Sequence, residues 1–166
     1  MASLKDCLRL KVISEGDLVA VSRTGFFSRL IRRWTRETYS HVAIVYSING
    51  VRVKIVEASD KKGIRFSAIN KLLPAYVFYI KDGLTSETRD FINSKIGQKY
   101  SWFDCLRAAF HCKPRHDDKW QCAEFANAVL RKGGFLVDEK AITPGKLVKE
   151  VLKKGSGRAV YIDKKK

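Results

Sequence analysis

At 166 residues, with 45% hydrophobic and 11% aromatic content, the chain is sized for one domain, residues 1–166, and is too apolar to be disordered. A chain of this length buries roughly two-thirds of its unfolded surface, so it needs no disulfide or metal staple to fold. Thirty-three basic residues against 17 acidic ones leave a net charge of +16. That balance suits a polyanionic neighbour, whether nucleic acid, an anionic membrane or an acidic polymer, although no motif selects among them and a purely solubilising charge is the simpler account.

The opening residues, Met1 to Leu10, carry Lys5, Asp6 and Arg9 and have no apolar centre, so they do not read as a secretory signal. No apolar run approaches the ~20 residues of a membrane span. A cytoplasmic protein is the default expectation, and a phage or viral product released by another route is compatible with it. Cys7, Cys105, Cys112 and Cys122 are then expected as reduced thiols.

Glu15-Gly16-Asp17 reads as a turn before a short strand, Leu18 to Val21. Phe26 to Arg36 has apolar residues at helical spacing, with Arg29, Arg32, Arg33 and Arg36 on the other side. Such a helix packs on a core or lies on an anionic surface. His41 to Ser47 and Val51 to Glu57 are β-branched runs around Asn49-Gly50, the pattern of a hairpin. A further strand is expected at Tyr76 to Ile80. Helices are expected over Thr85 to Ile96, capped by Thr85 or Ser86, and over Ser101 to Phe110. Cys112 to Lys119 reads as a charged loop. Trp120 to Lys132 is a strong helix, with Asp117 and Asp118 at its start and Gly133-Gly134 at its end. The remainder suggests a helix at Gly145 to Leu152, a strand at Ala159 to Ile162 and a frayed tail from Lys164.

The hairpin register decides which side chains meet. A three-residue loop, Ile48-Asn49-Gly50, pairs Ser47 with Val51 and sets His41 directly across from Glu57. It also gathers Ala43, Val45, Val51, Val53 and Ile55 on one face, away from Arg52 and Lys54. A two-residue Asn49-Gly50 loop would mix those lysine and arginine side chains with the apolar set. The three-residue loop is the expectation, because a slip of one residue exchanges the two faces.

His41 opens an apolar strand, Glu57 ends the next, and Cys122 opens a helix whose buried stripe continues through Phe125, Ala126 and Val129. A thiol at a helix N-terminus is biased toward thiolate, and an imidazole beside it increases that bias. Each residue alone is more often structural. Together they form a nucleophile, a base and an orienting acid on three rigid elements. A second constellation, Cys105, His111, Cys112, His116 and Cys122, has the residue types of a zinc site. It lacks a paired C-x2-C or H-x3-H unit, and His111 and His116 read more simply as solvated loop residues.

The ordered set, from Glu15-Gly16-Asp17-Leu18-Val19 through Tyr39-Ser40-His41-Val42-Ala43, Ile55-Val56-Glu57-Ala58 and Gly97-Gln98-Lys99-Tyr100 to Cys122-Ala123-Glu124, resembles the circularly permuted NlpC-type branch of the papain-like fold. That branch includes YiiX-like proteins and a related poxvirus family. The resemblance spans about residues 15 to 135. It implies Cys122 as nucleophile, His41 as base, Glu57 as the residue orienting His41, and Tyr100 lining the site. Ala123 stands where serine is usual and Lys99 where proline is frequent, which bears on substrate preference. The Asn-Cys-Glu-His signature of lecithin-retinol-acyltransferase-like proteins is absent.

The expected fold is therefore α+β, a permuted papain-like (NlpC-type) domain with a short antiparallel sheet and the nucleophile helix packed on it. The expected activity is cysteine-dependent hydrolysis of an amide, ester or thioester, with catalytic Cys122, His41 and Glu57, substrate-binding Tyr100 and Gln121, and no metal or organic cofactor. Two alternatives differ in class: acyl transfer or esterolysis on a lipid substrate at an anionic membrane, and a non-enzymatic polyanion-binding module, nucleic acid included.

Overall fold

The computed structural model describes residues 3–22, 37–60, 62–81, 83–101, 119–141, 143–155 and 157–164. Its helices are α1 (Leu4–Arg9), α2 (Ser86–Lys95), α3 (Cys122–Lys132) and α4 (Pro144–Lys154). Its strands are β1 (Leu18–Val21), β2 (His41–Asn49), β3 (Arg52–Ser59), β4 (Gly63–Ala68), β5 (Ala75–Phe78), β6 (Lys99–Tyr100), β7 (Lys119–Trp120) and β8 (Ala159–Ile162). The fold is α+β. A six-stranded sheet runs in the order β4–β3–β2–β1–β5–β8, antiparallel at every pairing, and β6 and β7 form a separate parallel pair.

The sheet is covered on both faces. One core joins Leu18, Ala20, Val42, Ile44, Val56 and Ala58 to Phe125, Ala126 and Val129 of α3 and Leu147, Val148 and Val151 of α4. The other joins Val19, Ala43, Val45, Val53, Ile55 and Val77 to Cys7 of α1, Ile13 and Ile69. This is why Leu18–Val21 is apolar at every position: no residue of β1 faces water, so the strand has no polar alternate.

Helix boundaries follow their caps. Thr85 accepts the Thr88 amide and starts α2. Thr143 accepts the Lys146 amide, and Pro144 fills the first position of α4, which runs to Lys154 and so exceeds the expected Gly145–Leu152. α3 begins at Cys122 and not at Trp120, because Gln121 is extended and caps it while Trp120 belongs to β7. β5 ends at Phe78, short of Ile80. The expected helix at Phe26–Arg36 lies outside the described residues, as do nearly all of the expected helix from Ser101 and the loop from Cys112. Lys119, expected in that loop, is a strand residue, and Ser101 is buried outside any helix.

The sheet is broader than the strands read from sequence, because β4 adds an edge. Its first residue, Gly63, has φ +65°, and an added Cβ would lie 2.0 Å from the Gln98 carbonyl oxygen. This close approach lets the Ile64 amide bond the Gln98 carbonyl at 2.9 Å and ties the sheet edge to the β6 turn.

The hairpin loop contradicts expectation. It has two residues, Gly50 and Val51, between the paired Asn49 and Arg52. Val51 is 63% exposed in the turn and does not join the apolar face. The register then shifts between Val45 and Ser47, leaving Tyr46 as a bulge. Beyond it Val45 pairs with Ile55 and Ile44 with Val56. Extended one pair further, this register places Glu57 across from Ala43, so His41 is its diagonal neighbour on the same face and not its direct partner. Diagonal pairs are ~7–8 Å apart at Cα, within reach of long side chains. The expected grouping of Ala43, Val45, Val53 and Ile55 holds. The opposite face, with Val42 and Ile44, is the one that α3 covers.

Candidate active site

His41, Glu57 and Cys122 are brought together. His41 begins β2, pairing with Val21 of β1, and Glu57 lies on β3 just past the end of the β2–β3 ladder. His41 Nε2 is 2.7 Å from Glu57 Oε2. With Nε2 directed at the carboxylate, Nδ1 is the ring nitrogen left for the Cys122 thiol, with which the imidazole hydrogen-bonds. His41 is 8% exposed, Glu57 1% and Cys122 3%. These groups therefore interact with little screening by water.

The second carboxylate oxygen is also occupied. Arg65, directly across from Glu57 on β4, donates from Nη2 to Glu57 Oε1 at 2.9 Å. Burying a carboxylate is costly unless it is paired and hydrogen-bonded, and here one oxygen faces an imidazole and the other a guanidinium.

Cys122 is the first residue of α3, where the helix dipole favours negative charge. Burial raises the thiol pKa. The His41 hydrogen bond and charge, joined by the backbone amides of Val42 and Ala123, outweigh burial and bring the thiol below its usual range. For His41, burial disfavours the charged ring, but Cys122 and Glu57 together raise it to about 9. The two groups share one titration, in which a proton is held on imidazole in preference to sulfur.

Gln121 is 2% exposed and caps α3, its Oε1 accepting the Ala123 amide at 3.1 Å and lying 4.0 Å from the Cys122 sulfur. Glu124 returns the cap by accepting the Gln121 amide. Tyr100 is half-buried and pairs through β6 with Trp120, two residues before Cys122. Of the alternative zinc constellation, only Cys122 lies among the described residues.

Arg65 was not visible in the sequence as a site residue. Its signal was an arginine alternating with Ile64 and Phe66, but that required recognising β4 and its pairing with Glu57.

No family model matches the chain, and no curated protein matches it in sequence. Among solved structures, it is similar to one described as the metalloprotein YiiX from Escherichia coli O157:H7, with a TM-score of 0.55 and 16% identity over 72% of this chain. The match covers 66% of the YiiX chain. The protein thus has a YiiX-like α+β fold. YiiX is described as a metalloprotein. Among the described residues, no group of three or more His, Cys, Asp or Glu side chains could hold a metal ion. The carboxylate that would serve as a ligand is bonded on both oxygens, one of them by a cation. Among the described residues, no helix is long and apolar enough to cross a membrane.

Proposed function

We propose that the protein is a cysteine hydrolase of permuted papain-like, NlpC-type architecture, with Cys122 as nucleophile, His41 as general base and acid, and Glu57 as the residue that orients His41. The observation that carries this reading is the continuous chain from buried carboxylate to imidazole to thiol, with the thiol biased toward thiolate and the imidazole toward imidazolium. An idle cysteine in an apolar core has the opposite bias, because burial alone raises its pKa.

In this mechanism Cys122 Sγ attacks the carbonyl carbon of an amide, ester or thioester. The Cys122 backbone amide, at the start of α3, receives the developing oxyanion. His41 gives its proton to the leaving group, then takes one from the water that attacks the acyl-enzyme. The acyl product leaves with Cys122 restored. Peptide or amide substrates are the proposed class, with Gln121, adjacent in the chain to the nucleophile, and Tyr100, paired with Trp120, as the proposed substrate-binding residues.

The test is turnover of a panel of amide, ester and thioester substrates, together with labelling by a thiol-directed activity probe. Wild type should turn over at least one class and be labelled at Cys122, while Cys122→Ala loses both and His41→Ala loses turnover. Turnover that survives Cys122→Ala would overturn the reading.

A further inference from the structure

We propose that the Glu15–Arg89 ion pair is a positioning device for the catalytic pair: it locks the β2 bulge at Tyr46, and the bulge is what puts His41 and Glu57 on the same side of the sheet. This rests on the triad reading above and adds residues far from the reacting atoms.

The argument begins with register. From the loop, Asn49 pairs with Arg52, Ile48 with Val53 and Ser47 with Lys54. Continued without interruption, that register would set Ile44 across from Glu57. Glu57 would then point to the face of Val42 and Ile44, and His41, one residue from Val42, would point to the other. Successive side chains alternate, so a one-residue change reverses every contact. The single extra residue at Tyr46 changes the register by one. Past it, Glu57 shares a face with His41, and the 2.7 Å contact forms.

A bulge leaves backbone groups outside the ladder, and these need partners. Here the partners come from two distant segments. Arg89 of α2 donates from Nη1 to the Tyr46 carbonyl at 3.0 Å, and its guanidinium lies 5.1 Å from the centre of the Tyr46 ring. The other guanidinium nitrogen, Nη2, pairs with Glu15 Oε2. Glu15 Oε1 in turn accepts the Ile48 amide at 2.9 Å, on the loop side of the bulge. On the site side, Gly16 donates to the Val45 carbonyl at 2.8 Å, and Val45 donates to the Asp17 carbonyl at 2.9 Å. The turn Glu15-Gly16-Asp17 and Arg89 therefore grip β2 at Val45, Tyr46 and Ile48. Gly16 is needed there: its φ is +96°, and a Cβ would lie 2.7 Å from Gly83 backbone atoms.

Glu15 and Arg89 touch neither Cys122 nor His41, so the readout must report the pair's geometry. Two measurements serve: the pH dependence of Cys122 alkylation by iodoacetamide, and the downfield ring-proton NMR signal of the His41–Glu57 hydrogen bond. Arg89→Met and Glu15→Gln should each move the alkylation profile to higher pH. A profile displaced upward by about one pH unit means labelling about tenfold slower at mildly acidic pH, with the alkaline rate unchanged. The ring-proton signal should broaden or vanish. Arg89→Lys, which keeps the charge opposite Glu15, should recover part of both. Arg131→Ala, which removes another surface ion pair, with Glu139, should change neither. An Arg89→Met protein that is folded by circular dichroism and keeps the wild-type profile and ring-proton signal overturns the proposal while the triad stands. If wild-type Cys122 titrates as an ordinary thiol, the triad reading fails, and the ring-proton signal alone still tests whether Arg89 holds His41 against Glu57.

Discussion

Replacing Glu57 by glutamine changes one atom and no volume, and the structure says what that should do. The carboxylate accepts from two donors, His41 Nε2 at 2.7 Å and Arg65 Nη2 at 2.9 Å, and is 1% exposed. A glutamine has one acceptor oxygen. Toward an imidazolium and a guanidinium, whichever way its amide is turned, an NH2 group faces a donor, leaving a buried clash worth about 1–3 kcal/mol that falls on the charged form of His41. The imidazolium also loses a charge-assisted bond, which is roughly twice as strong as a neutral one. If about 1.5–3 kcal/mol of that loss falls on the charged form, the His41 pKa falls from about 9 by roughly one to two. The Cys122 titration is linked to it and moves up. Iodoacetamide alkylation followed across pH reads that shift directly. Glu57→Gln should move the profile to higher pH and slow labelling at mildly acidic pH by about ten- to a hundredfold, with the alkaline rate unchanged. A Glu57→Gln profile that overlays wild type would refute the claim that this carboxylate sets the imidazolium.

Arg65→Met should move the acid limb of the same profile upward, since a carboxylate stripped of its cation protonates more readily, and Arg65→Lys should move it back; an unchanged limb would mean that Arg65 only packs. Burial raises Asp17 to about 6 against the ~3.8 expected when unfolded, so the folded state favours the protonated acid. Its contribution to stability is therefore greatest below the unfolded value and is lost as pH rises through about 6, which urea melts of wild type minus Asp17→Asn should show as a difference growing in favour of wild type from pH ~7.5 to ~4. Gly63→Ala puts a methyl against the Gln98 carbonyl and imposes a left-handed φ on alanine, so it should destabilise by more than ~1–3 kcal/mol in a urea melt. Prolonged chelation should leave the alkylation rate of Cys122 unchanged; a rise reversed by added zinc would show that the residues hold a metal, because a metal-bound thiolate is shielded from alkylation.

The parts of the fold legible in the sequence are those where one local rule dominates. α2 combines a cap and a terminal glycine, α3 adds a periodic apolar stripe, and their boundaries fall within two residues of expectation. The strand at Ala159–Ile162 was legible from its composition alone. β4 was not, because Gly-Ile-Arg-Phe-Ser-Ala is an edge strand with a charge in its centre, and that arginine makes sense only once Glu57 is its cross-strand partner. The hairpin shows a subtler failure. Asn49-Gly50 suggests a tight turn at those two residues, yet the loop is Gly50-Val51, with Gly50 at φ +55°. Matching apolar faces correctly grouped Ala43, Val45, Val53 and Ile55. It could not see that a bulge, held by Glu15 and Arg89 from outside the hairpin, restores the face relation that the loop length would otherwise remove. The right residues met through the wrong register, because parity and not direct opposition was the requirement.

Charge balance explains why such a site can be enclosed at all. A buried thiolate, imidazolium and carboxylate and the partly exposed Arg65 guanidinium sum to zero, and in this chain they alternate in sign from Cys122 through His41 and Glu57 to Arg65. Each charge is thus flanked only by opposite ones, the arrangement in which mutual attraction offsets desolvation. Removing a terminal member, or His41, after which Cys122 reverts to a neutral thiol, leaves one neighbour half-paired, while removing Glu57 leaves His41 and Arg65 without their common counter-ion. Substitution at Glu57 should therefore cost more stability than at Cys122, His41 or Arg65. That ordering, measured by urea melts of four neutral replacements, depends on the alternation and not on any turnover.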